Sequence, residues 1–144
     1  MTFRKEALME ITKTNELEKA DSKALAEAVA EVLIEKKAQG VRMFCVEGTT
    51  TMTDYYVNAT GRSSTQVAAL ADEVVYRLEM KGRAALRVEG RGGNSWLLVD
   101  YGSVIVNVFD TASREYYNFD RLLPAECECD IAYITERVDE KFRL

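Results

Sequence analysis

Histidine is absent from the 144-residue chain, which excludes Ser-His-Asp and Cys-His triads, histidine acid/base chemistry and the usual nitrogen ligands of zinc. Carboxylate, lysine or tyrosine chemistry stays open. Cysteine is scarce: three residues make no disulfide framework, and a reducing compartment would keep them as thiols. Cys45 lies in an apolar run and reads as a small core residue. Cys127 and Cys129 form a C-x-C in "PAECECD", with no second pair to complete a zinc site. A single proline leaves no Pro-rich linker. No apolar run approaches the ~20 residues needed to span a bilayer, and "MTFRKEALMEITKTNELEKADSK" lacks the apolar segment of a secretory signal, so a cytosolic protein without membrane contact is expected. Massed positive charge is also missing. With a formal net charge of −5 and scattered Lys and Arg, little direct nucleic-acid binding is expected, and a basic protein is the favoured contact.

What is present suits one domain, with 47% hydrophobic residues. Residues 1–20 form a polar lead-in, frayed or partly helical. Asp21 offers an N-cap, and Leu25, Ala28, Val29, Val32 and Leu33 recur at helical spacing until Gly40 supplies the stop. Val41–Glu47 has strand length and apolar residues on both alternating faces, as a strand covered from both sides would. "YYVNATG" from Tyr55 is the next strand. Ser63 or Ser64 caps a helix whose Val67, Leu70, Ala71, Val74 and Leu78 form one stripe, closed by Gly82. A short strand follows in "AALRVEG". Further on, "SREYYNFDRLL" predicts a helix with Tyr116, Phe119 and Leu123 on one stripe, ended by Pro124. In the tail, 124–144, the stripe Ile131, Ile134, Val138, Phe142 leaves open a docked fourth helix or a mobile end.

Between these elements, "NSWLLVDYGSVIVNVF" is almost wholly apolar yet carries Asp100 and Asn107. Gly102-Ser103 suits a two-residue type II′ hairpin turn. The turn pairs Tyr101 with Val104, Leu98 with Asn107 and Trp96 with Phe109. Alternation then sorts Leu97, Val99, Tyr101, Val104, Val106 and Val108 onto an apolar core face. Trp96, Leu98, Asp100, Ile105, Asn107 and Phe109 fall on the other, expected to meet solvent or a partner.

Motifs for chemistry are weak. "ATGRSS" resembles an anion-binding helix start but lacks the spacing and lysine of a P-loop, so a glycine turn with a serine cap is the simpler reading. "VEGRGGNSW" contains G-x-G-G but joins strand to strand, unlike a dinucleotide fingerprint. Nucleotidyl transfer needs paired strand carboxylates to hold metal ions, and Asp100 has no second acid two residues on. Asp54, before a strand, reads as a turn acceptor rather than a lone catalytic acid. For Asp100 three readings remain: a catalytic acid, a structural acceptor for a nearby loop, or a contact for a basic partner group. Aromatic residues dominate interface hot spots, although a strand tryptophan is otherwise often core.

Taken together, "TDYYVNATGRSSTQVAALADEV", "VEG", "WLLVDYGSVIVNVF" and "REYYNFDRLL" resemble the ribosomal silencing factor (iojap-like) family. The resemblance covers about Asp21 to Leu123. Its most specific parts are Thr53-Asp54-Tyr55, Ala59-Thr60-Gly61 with Ser63-Ser64, and Trp96 followed by Asp100-Tyr101-Gly102. It implies an α/β fold with a mixed five-stranded sheet flanked by helices, nucleotidyltransferase-like in shape without the catalytic carboxylates. It also implies a translational repressor that binds the large ribosomal subunit through its ribosomal protein number fourteen and sterically blocks joining of the small subunit. No enzyme activity, cofactor or metal is implied, and the free protein is expected to be a homodimer. Partner binding is carried over to Trp96, Leu97, Leu98 and Asp100; Tyr101 and Asn107 complete the candidate set, and the hairpin register ranks Trp96, Leu98 and Asp100 ahead of core-facing Leu97. Two departures from the family pattern are Ser103, usually Asp, and Asn107, usually His. The rival readings are a nucleotide-dependent transferase and a dimeric scaffold for another protein.

Overall fold

The computed structural model describes residues 12–143; the expected lead-in through residue 11 lies outside the described residues. Residues 12–20 join the fold at the end of the second helix, where the N–H groups of Thr14 and Leu17 donate to the carbonyls of Met80 and Lys81 at 2.6 and 2.7 Å. Helix α1, Ser22–Glu35, is capped by Asp21, whose Oδ1 accepts from the Ala24 N–H at 2.8 Å. It stops before Gly40: Lys36 ends it and Lys37, at φ 65°, turns the chain. Gly40 instead lies within β1, Gln39–Cys45, where the register shifts between Gln39 and Arg42. That strand therefore starts and ends two residues earlier than its apolar run.

Strand β2, Tyr55–Gly61, is wholly buried. Helix α2, Ser64–Met80, is capped by Ser63 and buries Val67, Leu70, Ala71, Val74 and Leu78, the stripe its spacing predicts. Strands β3, Arg87–Glu89, β4, Trp96–Asp100, and β5, Val104–Asp110, follow, then helix α3, Thr111–Tyr117. A two-residue edge strand β6, Glu128–Cys129, precedes helix α4, Ala132–Lys141. The sheet has six strands in the order β3-β4-β5-β2-β1-β6, with β2 and β5 parallel and the other pairs antiparallel. The strand beyond the expected five comes from the C-x-C segment, where Cys129 pairs with Met43. Among the described residues no helix is long and apolar enough to cross a membrane.

Alternation divides the sheet into two unlike faces. On one, α1, α2 and α4 bury Met43, Val57, Leu97, Val99, Val104, Val106 and Val108 in the main core. On the other, Phe44, Val46, Tyr56 and Ile105 form a second, smaller cluster beneath Phe119, Leu123 and Cys127.

Of the two fates open to the tail, docking is the one observed. Ile134 and Val138 of α4 are buried, while Phe142 stays exposed. Alongside them Tyr133, Arg137 and Lys141 pair in turn with Glu27, Glu31 and Glu35 of α1. Both sets advance by one i, i+4 step, so the helices run parallel with their rungs aligned. Glu35 is the strongest rung, taking Lys141 Nζ and Arg77 Nη2 at 2.8 Å each. Burial alone would raise its pKa, but the hydrogen bonds and charges of Lys141 and Arg77 outweigh that and hold the carboxyl below its ordinary value. A depressed carboxylate contributes stability that is full above its unfolded value, about 4.3, and is lost as pH falls through the lower folded value. Acidification from neutral pH should therefore accelerate amide exchange in α4 before α2, and Glu35→Gln should do so already at neutral pH. Simultaneous opening of both helices would contradict this.

Candidate functional site

The hairpin register is the predicted one: Trp96 faces Phe109, Leu98 faces Asn107, and the Tyr101 N–H donates to the Val104 carbonyl at 2.9 Å. Gly102, at φ 84°, takes the positive backbone angle that the turn requires. Leu97 and Tyr101 lie in the main core. The Tyr101 hydroxyl is buried without a hydrogen-bond partner, and burial raises its pKa. Neither side chain can touch a partner directly.

The opposite face is less open than the sequence suggests. Ile105, Asn107 and Phe109 are buried, because α3 and the short 3-10 turn Phe119–Leu122 fold back over β5. Of the two hairpin strands, β4 alone keeps part of its outer row accessible, through half-buried Trp96, Leu98 and Asp100. Asn107, expected at a contact surface, is an interior residue: its Oδ1 accepts from Trp96 Nε1 at 2.9 Å and its Nδ2 donates to Asn58 Oδ1 at 3.0 Å.

Asp100 accepts from two groups within the chain. One oxygen accepts from the Gly102 N–H at 2.7 Å, fixing the turn, and the other lies 3.1 Å from Nε of Arg87, its cross-strand neighbour. A basic group of the chain itself, the exposed Arg87 guanidinium, therefore already lies against this carboxylate.

Residues beyond the predicted set complete the surface. The stripe Tyr116, Phe119, Leu123 does not persist as one helix, because Asn118 adopts the left-handed conformation, φ 46° and ψ 47°, and ends α3 at Tyr117. Asparagine tolerates that region better than most residues. Phe119 consequently turns inward to meet Tyr56 and Trp96, at ring separations of 5.1 and 6.1 Å. Tyr116 turns outward and is 82% exposed. Tyr117, half-exposed, bridges the two environments, with its ring 4.8 Å from Trp96 and 5.0 Å from Tyr116. Trp96 also packs on Phe109 at 4.9 Å. The result is a continuous aromatic cluster, anchored inside by Phe109 and Phe119 and open outside at Tyr116 and Tyr117. Beside it, Glu89, Gly90, Trp96 and Leu98 line an open groove of about 310 Å³. The sequence signal was the pair Tyr116-Tyr117 followed directly by an asparagine.

Beneath the cluster, polar groups cross the sheet. Asn58 Nδ2 donates to Asp120 Oδ1 at 2.6 Å, and Asp120 Oδ2 accepts from Arg114 Nε and Nη2 at 2.9 and 2.8 Å. Arg114 further donates to Thr60 Oγ1 and the Gly40 carbonyl, locking α3 to β1 and β2. Arg42 approaches Asp120 at 3.4 Å and grips Glu128 with two shorter bonds, 2.9 and 2.6 Å. Hydrogen bonding to Glu128 raises the Arg42 pKa, and the same bond lowers that of Glu128. This pair ties edge strand β6 to the sheet.

Among the described residues no three acidic or cysteine side chains are grouped to hold a metal ion. What the face offers is a shaped, partly apolar surface. The profile of the family described as "Ribosomal silencing factor during starvation" matches residues 19–143, so its match extends through the docked tail. The ribosomal silencing factor RsfS of Bacillus subtilis is 31% identical over 102 residues, 71% of this chain and 86% of that protein. Its counterpart in Haemophilus influenzae is 33% identical over 99 residues, 69% of this chain and 97% of that protein. A crystal structure of a Chromobacterium violaceum protein, 30% identical, superposes with a TM-score of 0.69 and covers 71% of this chain and 85% of its own. Motifs, fold and relatives agree: the chain belongs to the ribosomal silencing factor family.

Proposed function

We propose that this protein is a translational repressor that docks on the large ribosomal subunit, through its ribosomal protein number fourteen, and sterically blocks joining of the small subunit. The observation that carries this reading is the aromatic cluster of Trp96, Tyr117 and Tyr116, which opens beside the groove lined by Glu89 and Leu98. Aromatic anchors with a polar rim are the composition of a protein-binding hot spot. The net charge of −5 and Glu89 in the groove wall favour a basic protein over bare phosphate backbone. Trp96 and Leu98 supply apolar area, Tyr116 and Tyr117 extend it, and Asp100 acts from behind by holding the turn. No turnover is needed for such a role. A cytoplasmic location rests on the composition of the sequence, and self-association of the free protein on family resemblance.

The test is co-sedimentation with purified large subunits. Tyr117→Ala removes a half-exposed ring that makes its contact on Trp96, and should weaken binding by roughly tenfold or more with little change in unfolding midpoint. Wild-type affinity in Tyr116→Ala, Tyr117→Ala and Leu98→Asp alike would place the contact elsewhere.

A further inference from the structure

We infer that Asn107, Asn58 and Asp120 are positioning residues: they form a one-way hydrogen-bond relay that fixes the orientation of the Trp96 indole. The functional part of this inference rests on the docking reading above.

The relay runs from Trp96 Nε1 to Asn107 Oδ1, from Asn107 Nδ2 to Asn58 Oδ1, and from Asn58 Nδ2 to Asp120 Oδ1, at 2.9, 3.0 and 2.6 Å. Asn107 and Asn58 are 1% and 0% exposed, so water cannot substitute for a missing partner. They face each other in register on parallel strands β5 and β2. An amide can present either end, and its orientation is normally ambiguous. Here both ends of the chain are unambiguous: an indole N–H only donates, and an ionised carboxylate only accepts. Asp120 therefore demands the Asn58 amino group, which turns the Asn58 carbonyl toward Asn107, which in turn leaves the Asn107 carbonyl for Trp96. Reversing either amide opposes donor to donor or acceptor to acceptor in a buried site. Asp120 is itself held by Arg114, so the direction of the relay is anchored across the sheet from the aromatic cluster.

One consequence concerns recognition. The indole N–H is already used, so Trp96 offers a partner its ring face and edge, suited to stacking or to a cationic side chain.

The relay can be broken by either of two single variants, each changing the charge by one, and restored by their combination, which leaves the overall charge unchanged. In Asp120→Asn, the new amide can keep its oxygen toward Arg114 only by pointing a donor at the Asn58 donor. In Asn58→Asp, two carboxylates face each other. In the double variant Asn58→Asp/Asp120→Asn, the bond between residues 58 and 120 is reversed, residue 120 now donating, but residue 58 again accepts from Asn107, so Asn107 keeps its carbonyl toward Trp96. Trp96 is the only tryptophan, and its indole N–H gives one assignable signal in the 15N-correlated NMR spectrum. Each single variant should shift that signal and accelerate its hydrogen exchange, and each should weaken large-subunit binding by roughly tenfold. The double variant should recover both. Single variants with a wild-type indole signal, or a double variant no better than the singles, would overturn the relay. An indole signal that follows this pattern while subunit affinity does not would overturn its role in presenting Trp96. Wild-type protein that fails to bind the large subunit would reject the docking reading, with the indole pattern still deciding the relay.

Discussion

Trp96→Ala should abolish co-sedimentation with the large subunit and also destabilise the fold by about 2–4 kcal/mol, below the full range for a completely buried aromatic because Trp96 is only partly buried. The stability loss has two sources. The ring packs on Phe109, Tyr117 and Phe119 at 4.9, 4.8 and 6.1 Å, and its N–H fills the buried Asn107 carbonyl. Trp96→Phe separates them: it keeps most ring contacts but leaves that carbonyl unsatisfied, a cost of roughly 1–3 kcal/mol. Urea unfolding of the two variants should rank alanine below phenylalanine and phenylalanine below wild type. A loss under about 0.5 kcal/mol for alanine, the range of ordinary surface changes, would mean that Trp96 is not part of the packed cluster.

A larger structural effect is expected from Gly90→Ala. Gly90 closes β3 at φ 94°, and a Cβ there would sit 2.1 Å from the Trp96 carbonyl oxygen and 3.2 Å from its carbonyl carbon. That obstacle is backbone in a hydrogen-bonded strand, so relief requires moving the start of β4 and Trp96 with it. Strain at a glycine-only conformation costs of order 1–3 kcal/mol by itself, and the clash adds to it. The variant should unfold well before wild type and lose subunit binding. Gly92 and Gly93 in the same loop have nothing within 4 Å of where a methyl group would sit, and neither has a positive φ, so alanine at either should be nearly neutral. Equal behaviour of Gly90→Ala and Gly92→Ala in thermal unfolding would contradict this geometry.

Local signals in the sequence carried far where each element was decided by its own residues. The α2 stripe is regular enough to specify its buried face residue by residue, and Gly102-Ser103 pinned the hairpin register and hence the sorting of Leu97 from Leu98. Resemblance added the family. What was not legible depends on contacts across the chain. Asn107 looked like a surface polar residue because its partners, Asn58 and Trp96, lie 49 and 11 positions away. Asp100 looked available because Arg87, on a neighbouring strand, is brought to it only by sheet pairing. Tyr116 shares a stripe with Phe119 and Leu123 only if a 3.6-residue period runs through Asn118, where the backbone changes hand. In the first two cases the missing information was which side chains strand pairing would bring together, and in the third a local change of backbone hand.

The most direct measurement is a sucrose gradient of purified large and small subunits under joining conditions, with and without this protein. Docking on the joining face predicts that the protein travels with the large subunit and that the joined peak falls as protein is added, while the Tyr117→Ala variant does both less well. Protein that comigrates with joined ribosomes without reducing their peak, or that remains at the top of the gradient, would contradict the proposed blockade.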